Sequence, residues 1–400
     1  SGLVAHGGGI ASPAGIATKV NPLLFVASTM PDRDGDGLPD DAELAVGTSA
    51  VKADTNGDGI DDLAAINLGL DPLAGVAFPT GVLASLDLGG TARAVAIAAA
   101  PAGARTGFVA LDNALAVVDL TRFDRPRLVG RVDLAGQPSG LALSADGATV
   151  AVTTQAGLIL VNVTDPSRPT ISRVNTAVGA LGRLVVADDL AYAPSGSRIL
   201  VFDLAAGGDL RETLDLGGAP VLDLAREGRR LFAIHTDGSF QVLDASGPLL
   251  VARGATNVAA GRAFAGGGVV YVTNSSRLSF GGFSTVDVND PDLPVVLSPP
   301  RAGGRQTLPG DAIAVNGNGL AVVGGVVGMV PGLALFNVSD PTDTGAYLTQ
   351  INLPGGPTDL SLADGLAFVL AGDRLLVVSI LPFDDRGAPP TVSISSPLAD

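Results

Sequence analysis

The chain has no cysteine, no tryptophan and only two histidines, His6 and His235. Without cysteine it cannot form a disulfide framework, a cysteine–zinc cluster or a thiol nucleophile. Two histidines offer little material for a Ser-His-Asp triad or a histidine–zinc site. These absences disfavour most hydrolytic, redox and zinc-dependent chemistry, so the sequence predicts a protein without enzymatic activity.

Basic residues are scarce as well, since 24 Lys and Arg stand against 40 Asp and Glu and the net charge is −16. No basic patch is large enough to neutralise a run of phosphates, which argues against nucleic-acid binding. Half of the net charge falls in residues 32–62, where ten acidic side chains face only Arg33 and Lys52. This short acidic segment therefore differs from the rest of the chain.

The remainder is rich in small and aliphatic residues, with 46% hydrophobic residues, 54 glycines and 27 prolines. That composition predicts a large core built from many short strands joined by tight turns. The longest apolar stretch without a charge, residues 319–336, contains five glycines and one proline. We expect strands there rather than a membrane span. The first residues lack the charged and apolar regions of a signal peptide, and we expect the chain to begin within a longer protein.

Residues 32–43 follow the pattern of a twelve-residue calcium loop. Oxygen-bearing side chains occupy positions 1, 3, 5, 9 and 12, Gly37 permits the sharp turn at position 6, and a backbone carbonyl supplies position 7. Calcium takes about six to eight oxygen ligands, which this spacing brings to one centre. We term residues 32–43 loop one. Its predicted metal ligands are Asp32, Asp34, Asp36, Leu38, Asp40 and Glu43.

Residues 54–65 repeat the pattern in a weaker form, which we term loop two. Its predicted ligands are Asp54, Asn56, Asp58, Ile60 and Asp62. Position 12 is Ala65, which cannot ligate a metal, so a water molecule or another carboxylate has to complete this site. Residues 32–53 and 54–75 align without gaps, and each repeat has room for only a short helix such as DDAELAV.

The phrases DRDGDGLPDDAE and DTNGDGIDDLAA resemble thrombospondin type 3 repeats of exported bacterial proteins. The resemblance covers residues 32–75 and implies that this segment binds calcium and acts as a stiff connector. The long entering helix of a true EF-hand is missing. We therefore expect a small EF-like loop pair with short helices.

From about residue 79 onward, an apolar run followed by Asp, Asn or Ser recurs seven times. The spacing between successive copies is 41 to 50 residues. We interpret the recurring polar side chain as the cap of the turn that follows a strand. The recurring positions are Asp119, Asn162, Asp203, Asp244, Asp287, Asn337 and Ser379.

Each period contains four strand-like runs, with a hairpin signal such as Asp146-Gly147 between the first two. Four strands in roughly 43 residues is the period of a β-propeller blade. The seventh copy stops after three strands, and residues 81–90 match the missing fourth strand. The sequence thus predicts an all-β fold, a seven-bladed β-propeller over residues 79–383, closed by the strand within 81–90.

The phrases GLILVNVTDPSRP and GFSTVDVNDPDLP resemble the LVIVP repeats of bacterial propellers. This resemblance implies an exported, multidomain protein. Residues 1–31 are expected to be a lead-in or the tail of a preceding domain. Residues 384–400 are expected to hold a linker and the start of an immunoglobulin-like domain, which the phrase APPTVSISSPLAD resembles. The chain is therefore expected to be a segment of a larger secreted or cell-surface protein.

Two functions stay open. The first is a non-catalytic extracellular module whose calcium-stiffened connector presents the propeller for protein–protein interaction, adhesion or surface assembly with partners or neighbouring subunits. The alternative is a propeller enzyme or small-ligand-binding protein that uses the mouth of the central channel. The lone His235 is interpreted as a packing or surface residue, and HGGG at 6–9 as a glycine-rich lead-in. Candidate channel residues are Asp223, Asp311, Asp359, Arg93, Arg183 and Arg262.

Overall fold

The computed structural model describes residues 3–6, 24–27, 30–56, 61–67, 72–73, 81–99, 105–123, 125–274, 282–300, 310–317, 319–327, 330–363, 365–380 and 383. Strands β1 (Leu3–His6) and β2 (Leu24–Ala27) pair antiparallel. Helix α1 (Asp40–Val46) covers the segment for which the sequence predicts a short helix, and α2 (Asp62–Asn67) follows in the second repeat. The expected immunoglobulin-like start, Asp58 and Ile60 lie outside the described residues.

The described strands that follow form seven four-stranded antiparallel sheets, the blades of the propeller. Blade 7 includes the earliest strand, β3 (Gly81–Asp87). Blade 1 contains β4 (Ala92–Ala99), β5 (Arg105–Leu111), β6 (Ala114–Asp119) and β7 (Arg127–Asp133). Blade 2 contains β8 (Pro138–Leu143), β9 (Thr149–Thr154), β10 (Gly157–Asn162) and β11 (Thr170–Asn175). Blade 3 contains β12 (Val185–Ala187), β13 (Leu190–Ser195), β14 (Arg198–Asp203) and β15 (Asp209–Asp215).

Blade 4 contains β16 (Val221–Glu227), β17 (Arg230–His235), β18 (Ser239–Asp244) and β19 (Val251–Asn257), and blade 5 contains β20 (Ala263–Gly266), β21 (Val269–Thr273), β22 (Phe283–Asp287) and β23 (Val295–Ser298). Blade 6 contains β24 (Gly310–Val315), β25 (Leu320–Val327), β26 (Val330–Asn337) and β27 (Tyr347–Asn352). Blade 7 contains β28 (Pro357–Ala363), β29 (Leu366–Ala371) and β30 (Arg374–Ser379), together with β3. The first strand of each blade contacts the first strands of its neighbours, so these strands line the central channel. The prediction of an all-β, seven-bladed propeller is confirmed.

The hydrophobic core lies between blades. Each pair of neighbouring blades shares one cluster of buried apolar residues, and the described residues form seven such clusters. In β5, Val109 and Leu111 pack toward blade 7, while Phe108 and Ala110 pack toward blade 2. The middle strands are buried on both faces, which is why they are continuous apolar runs in the sequence.

Six of the seven recurring polar residues cap the turn after the third strand. Thr121 N donates to Asp119 Oδ1 at 3.0 Å, for example, and Ser246 N donates to Asp244 Oδ1 at 2.9 Å. The cap interpretation is wrong for Ser379, which is fully buried and whose hydroxyl has no hydrogen-bond partner among the described residues. Its outer neighbour β3 comes from the start of the propeller, so the chain does not turn from β30 into the outer strand of the same blade, as it does after the other six residues.

Every outer strand carries a β-bulge where it pairs with the third strand of its blade. A bulge adds a residue to one strand, bends it and increases its twist. The outer edge of each blade is open to solvent, and a flat edge strand invites pairing with another chain. The repeated bulge makes each of these edges a poor template for such pairing.

The loop after the third strand carries an Asp-Pro pair in blades 2 (165–166) and 5 (290–291), and we term it the Asp-Pro loop. It contacts the outer strand of the preceding blade. In β19 the amide of Gly254 donates to the carbonyl of Pro291 at 2.9 Å. A Cβ atom added to Gly254 would overlap the backbone of Asp292 in the same loop. At Gly130 in β7, an added Cβ would overlap the carbonyl of Pro166. The Asp-Pro phrase therefore joins neighbouring blades at the rim.

We expect Gly254→Ala to lower the free energy of unfolding by about 1–3 kcal/mol, because the new methyl group forces the Asp-Pro loop away from β19. Gly247→Ala is the matched control, since its Cβ would meet only the Leu249 carbonyl at 3.8 Å. Equilibrium unfolding in denaturant measures both values. Equal stability of the two variants would contradict this account of the rim contact.

Candidate functional site

Three of the predicted metal ligands converge in loop one. Asp32, Asp34 and Asp36 each present a carboxylate oxygen, and these oxygens lie within 4.8 Å of one another. The left-handed backbone at Gly35 (φ 79°) and Gly37 (φ 93°) makes this curl possible without strain. Both glycine amides donate to the Asp32 carboxylate, at 2.9 and 3.0 Å. The loop is thus shaped around a cluster of oxygen atoms.

Glu43, at position 12 of the loop, is fully buried in α1. Neither of its carboxylate oxygens has a hydrogen-bond partner among the described residues. Burial and the charges of Asp34 and Asp36 raise the pKa of Glu43 to about 7, and burial raises the pKa of Asp36 to about 6. A buried carboxylate without donors is costly unless a cation compensates it. This all-oxygen donor set fits a hard divalent cation such as Ca²⁺.

The other two predicted ligands of loop one have further roles. Asp40 already interacts with Arg33, whose amide donates to Oδ1 at 3.1 Å and whose Nε lies 3.1 Å from Oδ2. Position 9 often reaches calcium through a water molecule, which suits a carboxylate held in this way. The Leu38 side chain is buried with Ala42 against Leu63 and Ile66, so it forms a small core between the two repeats.

Loop two is described only in part, so its metal site stays a prediction. Both oxygens of Asp62 accept hydrogen bonds from Thr55, from its amide at 2.9 Å and from its hydroxyl at 2.6 Å. The other predicted ligands are Asp54 and Asn56, which are described, and Asp58 and Ile60, which are not. Among the described residues, the group of three acidic ligands in loop one is the one cluster arranged to hold a metal.

Helix α2 packs onto the propeller. Ala65 is 2% exposed and belongs to the cluster shared by blades 7 and 1, with Leu88 and Phe368. The sequence identifies Ala65 only as a missing ligand, and the structure shows that this position serves packing instead. The one signal in the sequence is a small apolar residue where the repeat calls for an acidic one.

Two further interactions link loop one to α2 and the acidic segment to the propeller. The amide of Leu63 donates to Asp36 Oδ2 at 3.1 Å, which ties α2 to loop one. Arg105 lies over the ring of Phe123 at 4.8 Å, and it attracts Asp61. Burial raises the pKa of Asp61, and the attraction to Arg105 partly offsets that rise. Loop one, α2 and the first blade therefore form a continuous set of contacts.

An ion-pair network crosses the central channel. Arg183, just before β12 in blade 3, lies 2.9 Å through Nη1 from Asp359 in blade 7 and 3.6 Å through Nε from Asp223 in blade 4. Arg262, just before β20 in blade 5, lies 3.5 Å from Asp223. Burial alone lowers the pKa of Arg183, but the charges of Asp359 and Asp223 outweigh it and raise that pKa above its ordinary value.

The two carboxylates also join neighbouring blades. Asp223 Oδ2 accepts from the amide of Ala263 at 2.9 Å, and Asp359 Oδ2 accepts from the amide of Val95 at 3.0 Å. Each aspartate thus connects one inner strand to the next with one oxygen and receives an arginine with the other. Four of the six predicted channel residues form this network.

The other two channel candidates lie elsewhere. Asp311 lines the same cavity as Arg183 and Arg262. Arg93 instead pairs with Asp112 at 2.6 Å, away from that cavity lining. His235 ends β17, is buried, and holds the carbonyl of Ala219 at 2.7 Å through Nδ1, which fits a packing role. His6 ends β1, and residues 7–9 of the HGGG phrase lie outside the described residues.

We expect Arg183→Met to lower the free energy of unfolding by about 3 kcal/mol, because it leaves Asp223 and Asp359 buried without their shared cation. Arg173→Met is the control, since Arg173 pairs with Asp209 on the exposed rim and should cost about 1 kcal/mol or less. Adding Asp359→Asn to Arg183→Met should recover part of the loss. Denaturant unfolding measures all three, and equal losses for the two arginine variants would contradict the network's role.

No family model and no curated protein matches this chain. Among solved structures, it is similar to the WD40 repeats of RRP9, at a TM-score of 0.59 and 12% identity over 76% of this chain and 99% of that one. It is similar to the Cps50 (Swd1) propeller of Myceliophteria thermophila, at 0.57 and 13% over 75% and 99%. A chain of the mitotic checkpoint complex gives 0.58 and 13% over 76% and 93%. These likenesses show the fold.

Within the residues that the structure describes, neither short helix approaches the length and apolar content that crossing a membrane requires.

Proposed function

We propose that this chain is a non-catalytic interaction scaffold, in which a calcium-stiffened connector presents a seven-bladed propeller to protein partners. The buried Glu43, whose two oxygens have no donor among the described residues, carries the calcium part of the proposal. The propeller offers a large rigid surface, and the WD40-like fold of its structural neighbours supports a role in protein contact.

In this proposal, loop one holds calcium through the carboxylates of Asp32, Asp34, Asp36 and Glu43, the carbonyl of Leu38, and Asp40 through water. The ion would neutralise side chains that otherwise repel one another. Asp36 also accepts the amide of Leu63, so an ordered loop one favours the position in which α2 packs on blades 7 and 1. Calcium would then hold the connector against the propeller instead of merely straightening it. Loop two has no comparable support.

The location that suits this device is outside the cell. Extracellular calcium modules bind with dissociation constants of roughly 10⁻⁴–10⁻³ M, so their sites are filled outside a cell and largely empty in cytosol. The resemblance of residues 32–75 to thrombospondin type 3 repeats, and of the blades to LVIVP repeats, supports a bacterial, secreted or surface-attached protein. Its partners would be other surface proteins or neighbouring subunits, in adhesion or surface assembly.

Removal of calcium should expose residues 32–75 to proteolysis while a fragment from about residue 79 onward stays intact, because the propeller has its own inter-blade cores. Limited proteolysis with and without chelator, read by mass spectrometry, locates the cuts. Glu43→Gln should weaken calcium binding at least tenfold by calorimetry, because it removes a charged bidentate ligand.

Asp41→Asn is the control for that variant, since Asp41 is the neighbouring acidic residue on α1 outside the predicted ligand set. Protection of 32–75 after chelation, or loss of the propeller together with the segment, would contradict the connector. Unchanged calcium affinity in Glu43→Gln would remove loop one as the site.

The alternative, an enzyme that uses the channel mouth, makes a different prediction. We expect no hydrolase or lyase turnover from the purified chain, because His235 uses Nδ1 on a backbone carbonyl and the sequence holds no cysteine. Assays with ester, glycoside and peptide substrates, at matched concentrations of wild type and His235→Ala, provide the check. Turnover that His235→Ala abolishes, with the fold intact by circular dichroism, would favour the enzyme.

A further inference from the structure

A cavity of about 790 Å³ lies at one end of the central channel. Residues from six of the seven blades line it, at the start of the inner strands and in the turns beside them. We term this cavity the channel mouth. Arg183 and Arg262 are its cationic side chains among the described lining residues, and both are partly exposed to it, by 28% and 30%.

The two arginines differ in how they are bound. Arg183 donates to Asp359 at 2.9 Å, a length typical of a charge-assisted hydrogen bond. Arg262 has only the 3.5 Å approach to Asp223 Oδ1, and within the described residues its guanidinium makes no hydrogen bond. Since a guanidinium carries five N–H donors in a planar fork, Arg262 presents donor capacity to the channel mouth that the described structure does not use.

The backbone that carries Arg262 is fixed in place. Its amide donates to the hydroxyl of the fully buried Thr273 at 2.9 Å. That hydroxyl in turn donates to the Gly310 carbonyl at 2.8 Å. Gly261 passes so close to Thr273 that a side chain there would overlap its carbonyl. Arg262 is therefore held at the junction of blades 5 and 6, a preorganised position for binding.

The rest of the lining limits the ligand. Leu222, which is 37% exposed, and Val326 contribute apolar side chains to the lining from different blades, and Asp311 adds a carboxylate. A planar guanidinium fork matches a carboxylate or a phosphate. The net charge of −16 repels ions that carry several negative charges more strongly than ions that carry one. A single carboxylate on an apolar body matches both the arginine and these apolar side chains.

We propose that the channel mouth binds the carboxyl terminus of a partner protein that ends in aliphatic residues, with Arg262 as the carboxylate-binding residue. The size of the cavity suits a few residues of extended chain rather than a single small acid. The assignment of the carboxylate to a protein rests on the proposed scaffold function. The carboxylate chemistry itself does not.

The probe is the peptide acetyl-Ala-Val-Leu with a free carboxyl terminus, titrated calorimetrically into the calcium-loaded chain. We expect the C-terminal amide of the same peptide to bind at least tenfold more weakly, because a hydrogen bond to a charged group contributes about 1.5–3 kcal/mol. Arg262→Gln should cause a similar loss, and Arg262→Lys an intermediate one, since lysine keeps the charge but not the fork.

Arg93→Gln is the matched control, because Arg93 lies outside the cavity lining and is bound to Asp112. It should leave peptide affinity unchanged, and circular dichroism confirms that each variant is folded. Equal binding of acid and amide, or of wild type and Arg262→Gln, would overturn the inference. So would an absence of peptide binding.

The free acid 4-methylpentanoate distinguishes the source of the carboxylate. Binding of this acid as tightly as the peptide would overturn the assignment to a protein terminus. Failure of all carboxylates, with calcium binding and the order of residues 32–75 intact, would overturn this inference alone and leave the scaffold function standing.

Discussion

The pairing of β3 with β30 is the contact on which the whole propeller depends. It joins the first strand of the propeller sequence to the last and places Val82 opposite Val378. In a linear array of repeats, each terminal repeat would expose one apolar face. Closing the array lets blades 7 and 1 share a core like every other pair, and α2 adds Ala65 to that same core.

Closure of the ring does not cover the outer edge strands of the blades, which stay open to pairing with another chain. Two local features, one found in every blade and one in several, make such pairing unfavourable. A bulge distorts every outer strand, and Asp-Pro loops reach back to glycines at 130 and 254. Glycine is required at these two positions because another chain segment occupies the space of a side chain. The Asp-Pro phrase that identifies the repeat in the sequence is thus an inter-blade contact.

The number of blades could be predicted from the sequence, because it depends only on how often the strand pattern repeats. The turn caps could be predicted too, since an Asp or Asn oxygen reaches an amide two or three residues away regardless of the rest of the fold. Ser379 broke this rule because its blade is completed by a strand from elsewhere in the chain. The convergence of Asp32, Asp34 and Asp36 also follows from local spacing. The burial of Glu43, with no donor to its carboxylate in the described part of the chain, is a property of the folded segment that spacing does not reveal.

Contacts across the ring could not be predicted in the same way. The sequence marks Arg183, Asp223 and Asp359 as inner-strand charges, but only the closed ring decides that Arg183 meets a partner in blade 7. In a propeller, as in other repeat proteins, the packed cores join each blade to its neighbours. Arg183 provides a direct link between blades that share no core. Arg183 binds Asp359 and approaches Asp223, and Arg262 approaches the same Asp223, so one network of charges joins blades 3, 4, 5 and 7 at the channel.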